Sequence, residues 1–327
     1  MQESYIYAAA RIRSQENKLI PGDKLRRMAQ ASLTDALRLL SESGYGGAVQ
    51  LTAQNINAAI AEELAITKSF ICEITPDKQK TDVFLMQTDI TSLKLLLKLR
   101  CLNGSIEGVP LSTAGVFEPA ELRYMVEHGD YGKLPKIISD TLTLLEIKLY
   151  DSPSPRLISV ELDKAYISYA LSVKDRFINE YYSIFSEYTN AIILLREREQ
   201  KTSPERVFLY LLPGSSVTRE LFMKHFEAPL DTLSRTMFEN SPIRDALSHA
   251  FLEASRTNAI SAIEKCRDNA LMELAKRGRS ECENLLPLFG YMHAKQQEAK
   301  AIRLVFTLKL SGEKSETILE RLRELYV

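Results

Sequence analysis

Tryptophan is absent, and glycine, proline, cysteine and histidine are scarce: the 327-residue sequence holds 13 Gly, 12 Pro, 4 Cys and 4 His. Glycine and proline together fall well below the usual ~12% of a globular chain, which disfavours turn-rich β architecture and favours long helices. Cys72, Cys101, Cys266 and Cys282 are too scattered to form a disulfide framework and suit a reducing compartment as small apolar residues. His128, His225, His249 and His293 each stand alone, with no second His or Cys three or four residues away, so a zinc site has no local nucleus. No sign of charge dominates either. Lys and Arg number 42 against 43 Asp and Glu, a net charge of -1 that excludes a global basic field for nucleic acid. Long apolar runs are also missing. The longest uncharged stretch, Ser43 to Ala61, carries Gln50, Thr52, Gln54, Asn55 and Asn57, whereas a spanning helix needs about 20 mostly apolar residues. Arg11 and Arg13 fall where the apolar part of a signal peptide would lie, so the N-terminus reads as that of a mature cytosolic protein.

Catalytic signatures are missing as well. Gly44-Tyr45-Gly46-Gly47 is the densest glycine cluster, but it lacks the Lys-Ser/Thr of a phosphate loop and reads as a helix-ending loop, so no cofactor and no direct nucleotide binding is expected. There is no Gly-x-Ser-x-Gly, and acid pairs such as Glu62-Glu63 and Glu118/Glu121 have ordinary helix-surface or first-turn spacing. The aromatic run Tyr166, Tyr169, Phe177, Tyr181, Tyr182, Phe185 and Tyr188 reads as the core side of helices. A nucleic-acid stacking surface would need positive charge, and here Asp163, Asp175, Glu180 and Glu187 intervene.

What is present is helical period. Ile302, Val305, Phe306 and Leu310 recur at i, i+3, i+4 and i+8, with Lys300, Arg303 and Lys309 on other faces. After the Ser311-Gly312 break, Ser315 is expected to cap a second helix with Ile318, Leu322 and Leu325 as its stripe. From Thr88 to Cys101, Leu93, Leu95, Leu96, Leu97 and Leu99 crowd nearly all round, which suggests a helix covered on several sides. Arg156 to Leu162 alternates briefly and Asp82 to Met86 is a short apolar run, but neither has a hairpin partner nearby. The fold class is all-α.

Repetition organises these helices. Leu19-Ile20-Pro21-Gly22 recurs as Leu211-Leu212-Pro213-Gly214, and each Pro-Gly pair is expected to stop a helix. Leu25-Arg26-Arg27-Met28 has counterparts in Leu122-Arg123-Tyr124-Met125 and Leu221-Phe222-Met223, 97 and 99 residues apart. Basic pairs two apart recur as Arg11/Arg13, Lys98/Arg100 and Arg196/Arg198, with Lys309 alone near the end. Ser203-Pro204-Glu205 gives an N-cap with Pro at the first helical position, opening a short helix expected to run to Pro213. A step of ~100 residues exceeds the ~20–50 of a short-repeat solenoid and points to three helical units, residues 1–105, 106–213 and 214–327.

Several stretches together carry a resemblance. Tyr7-Ala8-Ala9-Ala10-Arg11-Ile12-Arg13-Ser14-Gln15-Glu16-Asn17-Lys18-Leu19 resembles the opening of the C subunit of bacterial and archaeal V/A-type ATP synthases, the counterpart of the eukaryotic vacuolar d subunit. Asp89-Ile90-Thr91-Ser92-Leu93-Lys94, continuing to Lys98-Leu99-Arg100, is similar to that family's internal helix. Glu298-Ala299-Lys300-Ala301-Ile302-Arg303, then Lys309-Leu310-Ser311-Gly312, Ile318, Arg321-Leu322-Arg323 and Tyr326, resembles its ending. The middle copy, Asn190-Ala191-Ile192-Ile193, departs by lacking the basic residue that Lys94 and Arg303 supply.

The resemblance implies a funnel-like socket of three helical domains with a central cavity. It also implies a rotor part without catalytic residues, peripheral to the cytoplasmic side of a membrane. Its partners would be the central shaft subunits of D and F type and the membrane proteolipid ring, within a large hetero-oligomer. The repeated polar residues Arg11, Arg13, Lys94, Lys98, Arg100, Arg196, Arg198, Arg303 and Lys309 are expected at the cavity and its interfaces or in ion pairs within each repeat. The rival reading is a generic helical adaptor with unrelated partners.

Overall fold

The computed structural model describes residues 4–47, 49–257 and 260–327; of the uncharged run Ser43 to Ala61, Ala48 lies outside them. Every regular element among the described residues is helical. In chain order these are α1 (Tyr5–Glu16), α2 (Gly22–Gln30), α3 (Leu33–Ser41), α4 (Ile56–Ile74), α5 (Lys78–Cys101), α6 (Pro119–His128), α7 (Lys136–Asp151) and α8 (Pro155–Ser172). They continue with α9 (Arg176–Glu199), α10 (Pro204–Phe208), α11 (Arg219–His225), α12 (Leu230–Leu233), α13 (Arg244–Thr257), α14 (Ser261–Lys276), α15 (Leu286–Leu310) and α16 (Ser315–Arg321). A 3₁₀ turn, Arg277–Ser280, follows α14. The two stretches that alternate briefly, at 82–86 and 156–162, lie inside α5 and α8.

Local chemistry explains several helix starts. Ser154 caps α8 by accepting from the Leu157 amide and Pro155 opens the helix; Asp175 caps α9 by accepting from Phe177 and Ile178. Glu118 and Glu121, spaced like an ordinary acid pair, form a reciprocal capping box on α6, and Gly129 at φ +66° closes that helix in the left-handed region.

Several boundaries differ from expectation. Pro21 starts a helix rather than stopping one: α1 ends at Glu16, and Pro21, extended at φ -64° and ψ 147°, is the residue that leads into α2. α10 ends at Phe208, short of Pro213. Lys314, not Ser315, holds the capping position of α16, and Leu322 and Leu325 are buried beyond the helix end at Arg321. Burial of those two leucines accounts for the apolar spacing without helical backbone.

The chain divides into two compact units. Unit 1 comprises residues 1–88, 111–117 and 272–327; unit 2 comprises 89–110 and 118–271. In unit 1 the apolar faces of α2 (Leu25, Met28), α3 (Ala36, Leu40) and α4 (Ile56, Ile60) pack on α15 (Ile302, Val305, Phe306) with Ile318 of α16. The N-terminal helices of this unit are thus completed by a helix from the far end of the sequence. Gly290 of α15 permits a close approach: a Cβ there would stand 2.7 Å from the Ala275 carbonyl oxygen. In unit 2, α9 contributes Tyr188, Ala191, Leu194 and Leu195 to a core shared with Phe222 and Phe226, Leu233 and Phe238, Leu247 and Phe251, and Ile263. At about 25 cal/mol per Å² of apolar surface, these buried side chains supply the bulk of each unit's cohesion.

Candidate functional site

Three long helices carry the same pair of charges. A buried acid is followed eleven residues later by a base: Asp89 and Arg100 on α5, Glu187 and Arg198 on α9, Glu298 and Lys309 on α15. Eleven residues are three helical turns, so the two side chains share one face about 16 Å apart.

The base of each pair donates to carbonyls at the C-terminal end of a short helix. Arg100 reaches the Val126 carbonyl in the last turn of α6. Arg198 donates to the carbonyls of His225 (3.3 Å), the last residue of α11, and Ala228 (2.9 Å) just past it. Lys309 donates to those of Ala29 (2.8 Å) and Ala31 (2.6 Å) at the end of α2. The last carbonyls of a helix lack intrahelical partners and carry the negative end of its dipole, so a cation is the fitting cap. Burial pulls both the Arg198 guanidinium and the Lys309 ammonium below their ordinary values, whereas Arg100, also opposed by burial, is held above its own by the carboxylate of Glu146.

The acid holds the other end. Glu298 accepts from the Ile20 amide at 2.5 Å, in the loop that leads into α2. Glu187 accepts from the Ser216 amide at 2.6 Å, in the loop that leads into α11. Asn190, one turn along α9, fastens the same loop through Leu212 in both directions and through the Ser215 hydroxyl. Asp89 is fully buried at the matching place on α5. α9 and α15 therefore each hold a short helix at both ends, and α5 holds α6 through Arg100; Leu25-x-x-Met28, Leu122-x-x-Met125 and the looser Leu221-x-Met223 are or border the buried faces of α2, α6 and α11.

The other repeated basic residues differ in their partners. Arg13 donates to the Gly278 and Glu281 carbonyls beside the 3₁₀ turn and pairs with Glu16 at 2.5 Å. Arg11 pairs with Glu73 at 3.2 Å, Lys94 with Asp163 and Arg196 with Glu264. Lys98 lies half-buried in the last turn of α5, and Arg303 is exposed on α15.

Unit 1 holds a charged group that motif reading missed. Lys295, 2% exposed, lies 3.0 Å from Glu298 and 2.8 Å from Glu63, with its ammonium over the Tyr45 ring. Tyr45 donates to Glu298 at 2.6 Å. Burial alone would depress the Lys295 ammonium, but Glu298 and Glu63 outweigh it and hold it above its ordinary value. Glu63 also lines a cleft of about 720 Å³ with Lys18, Lys24, Glu42, Phe70 and Tyr291. The cleft walls carry both signs of charge in equal measure, a lining suited to polar complementarity with a partner rather than to attraction of one ion type. Nearby His293 is fully buried against Phe289 and pushed down to about 3 by loss of solvation.

Among the described residues, no three His, Cys, Asp or Glu side chains converge as metal ligands, and no helix is long and apolar enough to cross a membrane. The recurrent arrangement is a set of helix-seating contacts.

The family model described as ATP synthase (C/AC39) subunit matches residues 8–321. The chain is similar to the A-type ATP synthase C subunit of Methanocaldococcus jannaschii, 26% identical over 96% of this chain and 85% of that protein. It is also similar to the A-type C subunits of Desulfurococcus sp., at 24% over 97% and 90%, and of Methanosarcina mazei, at 22% over 98% and 92%. The chain belongs to the ATP synthase (C/AC39) subunit family.

Proposed function

We propose that the protein is a central-stalk part of the rotor, without catalysis of its own, that couples the shaft of the ATP-hydrolysing head to the proteolipid ring in the membrane. The observation that carries this reading is the family match, which spans nearly the whole chain and joins it to relatives named as C subunits of A-type ATP synthases. The partners in this reading are shaft subunits of D and F type and the ring. The location is the cytoplasmic face of the membrane, and the ion carried is a proton or sodium. Part of the proposal is the three-unit scheme with boundaries near 105 and 213, forming a socket.

The physical demand on such a part is to pass torque between two partners without yielding. Packed helices deform little, and a short helix held at both ends by a neighbouring long helix has little freedom to slip. The repeated acid and base seats support the reading for that reason.

Deleting the gene and purifying the complex tests it. Loss of the ring from the ATP-hydrolysing head is the expected result, with reconstitution on adding the purified chain. Head and ring still copurifying in the deletion strain would overturn it. Scattering from the purified chain tests the socket separately: an elongated, curved particle would remove that part of the proposal.

A further inference from the structure

The seats of α9 and α15 differ at the acid. Glu298 has a counter-ion in Lys295 at 3.0 Å and a second donor in Tyr45. Glu187 is 1% exposed and has no ion pair among the described residues; its hydrogen bond comes from the Ser216 amide, and the hydroxyls of Ser216 and Ser241 lie near it, all neutral. The charged side chains on the elements around it are committed elsewhere. On α8, Arg156 pairs with Glu197 and Lys164 donates to the Leu209 carbonyl. Arg196 pairs with Glu264 of α14, and Arg267 of α14 pairs with Asp268. Arg198 is turned to the α11 carbonyls, while Arg219 of α11 and Arg244 and His249 of α13 are exposed.

A buried carboxylate without a counter-ion is costly, and the cost disappears when the group takes up a proton. Oε1 accepts from the Ser216 amide, while Oε2 is buried without a hydrogen-bond partner, so ionisation would place charge on a desolvated oxygen with nothing to answer it.

We propose that Glu187 positions the segment 212–216, and through it the start of α11, as a protonated carboxylic acid, making this seat a proton-linked latch that loosens when the acid ionises. Burial raises the Glu187 carboxyl above its ordinary value, outweighing the Ser216 and Ser241 groups that favour the ionised form. The direction of the effect follows. In the closed state the proton is held more tightly than in the open state, so closure weakens as pH rises from the ordinary carboxyl value near 4.5 to the closed-state value, then levels off. Gln reproduces the uncharged acid and keeps an acceptor for the Ser216 amide. Ala removes that acceptor.

Amide exchange by mass spectrometry on the full chain, from pH 4.5 to 8 and corrected for intrinsic rates, tests the latch. Protection over 212–218 is expected to fall by up to about tenfold per pH unit in the lower part of this range and then to level. In Glu187→Gln protection should stay high and independent of pH. In Glu187→Ala it should be low throughout. The segment around Ile20, seated by Glu298, should show no such fall and serves as the internal reference. Protection of 212–218 that ignores pH in the parent chain, or a Gln variant that loses protection as Ala does, would overturn the proposal.

Discussion

The seats built by α15 and α9 use one geometry with two solutions for a buried acid. In unit 1, Glu298 is embedded in a network of Lys295, Glu63 and Tyr45, and its charge is answered by charge. In unit 2, Glu187 meets serine and backbone alone. The same backbone task, holding the loop before a short helix, thus carries opposite electrostatic consequences. Removing one member of a compensated cluster strands the others, whereas neutralising an uncompensated acid relieves a penalty.

The largest effect that sharpens this contrast is at Lys295. Lys295→Ala leaves Glu298 and Glu63 facing each other without a cation and should cost about 3–5 kcal/mol, measured by denaturant unfolding. Adding Glu298→Gln to Lys295→Met should recover much of that loss, since Gln still accepts from the Ile20 amide and the stranded charge is gone. A double variant no more stable than Lys295→Ala would break the idea of a compensated cluster.

Next in size is an acid sensitivity confined to unit 1. His293 is pushed down to about 3, so below the ordinary value of 6.5 the unfolded chain binds a proton that the native state refuses. Stability should therefore fall as pH drops from 6.5 toward 3, by up to about 4 kcal/mol over the window. His293→Gln should flatten the profile. Unit 1 thus weakens toward acid through His293, while the Glu187 seat of unit 2 weakens in the other direction.

The capping bases come third. Arg100→Ala frees Val126 and also removes the cation of Glu146, whereas Arg198→Ala frees carbonyls at the end of α11 and uncovers the Phe226 ring but breaks no ion pair. We expect about 2 kcal/mol for the first and about 1 for the second in thermal unfolding. Equal losses would show that the Glu146 pair contributes nothing. The smallest effect is Glu187→Gln, expected within about 0.5 kcal/mol of the parent at pH 4.5 and no less stable than it at pH 8.

Much of this architecture was legible in the sequence, for physical reasons that can be named. The spacing of Ile302, Val305 and Phe306 marks a buried helical face because side-chain direction is set by local backbone geometry alone, and Ser203-Pro204 marks a helix start for the same reason. Tertiary burial is not local. Leu322 and Leu325 continue the helical spacing after Ile318, yet they are buried from non-helical backbone. Asp89 and Glu298 head stretches that carry the family resemblance, but nothing local in the sequence says what they or Glu187 hold. Glu187 and Glu298 look like solvated helix residues until the chain is folded, because the Ile20 amide that Glu298 receives lies 278 residues away. The eleven-residue interval from Asp89, Glu187 and Glu298 to the following base was the available signal, and it acquires meaning only once both ends of a short helix are seen to be held. Lys295 offered no signal: a lysine on a helix is ordinarily exposed, and only the convergence of Glu63 from α4 makes its burial tolerable.

Parallel amide exchange at Ile20 and Ser216 in Glu298→Gln and Glu187→Gln is the most direct measurement of the contrast between the two seats. Glu298→Gln should lower protection at Ile20 by at least about tenfold at every pH, because Lys295 loses one of its two carboxylates, while Glu187→Gln should leave Ser216 as protected as the parent chain at pH 4.5 and more protected at pH 8. Equal loss of protection at both amides, or loss at Ser216 alone, would contradict the account.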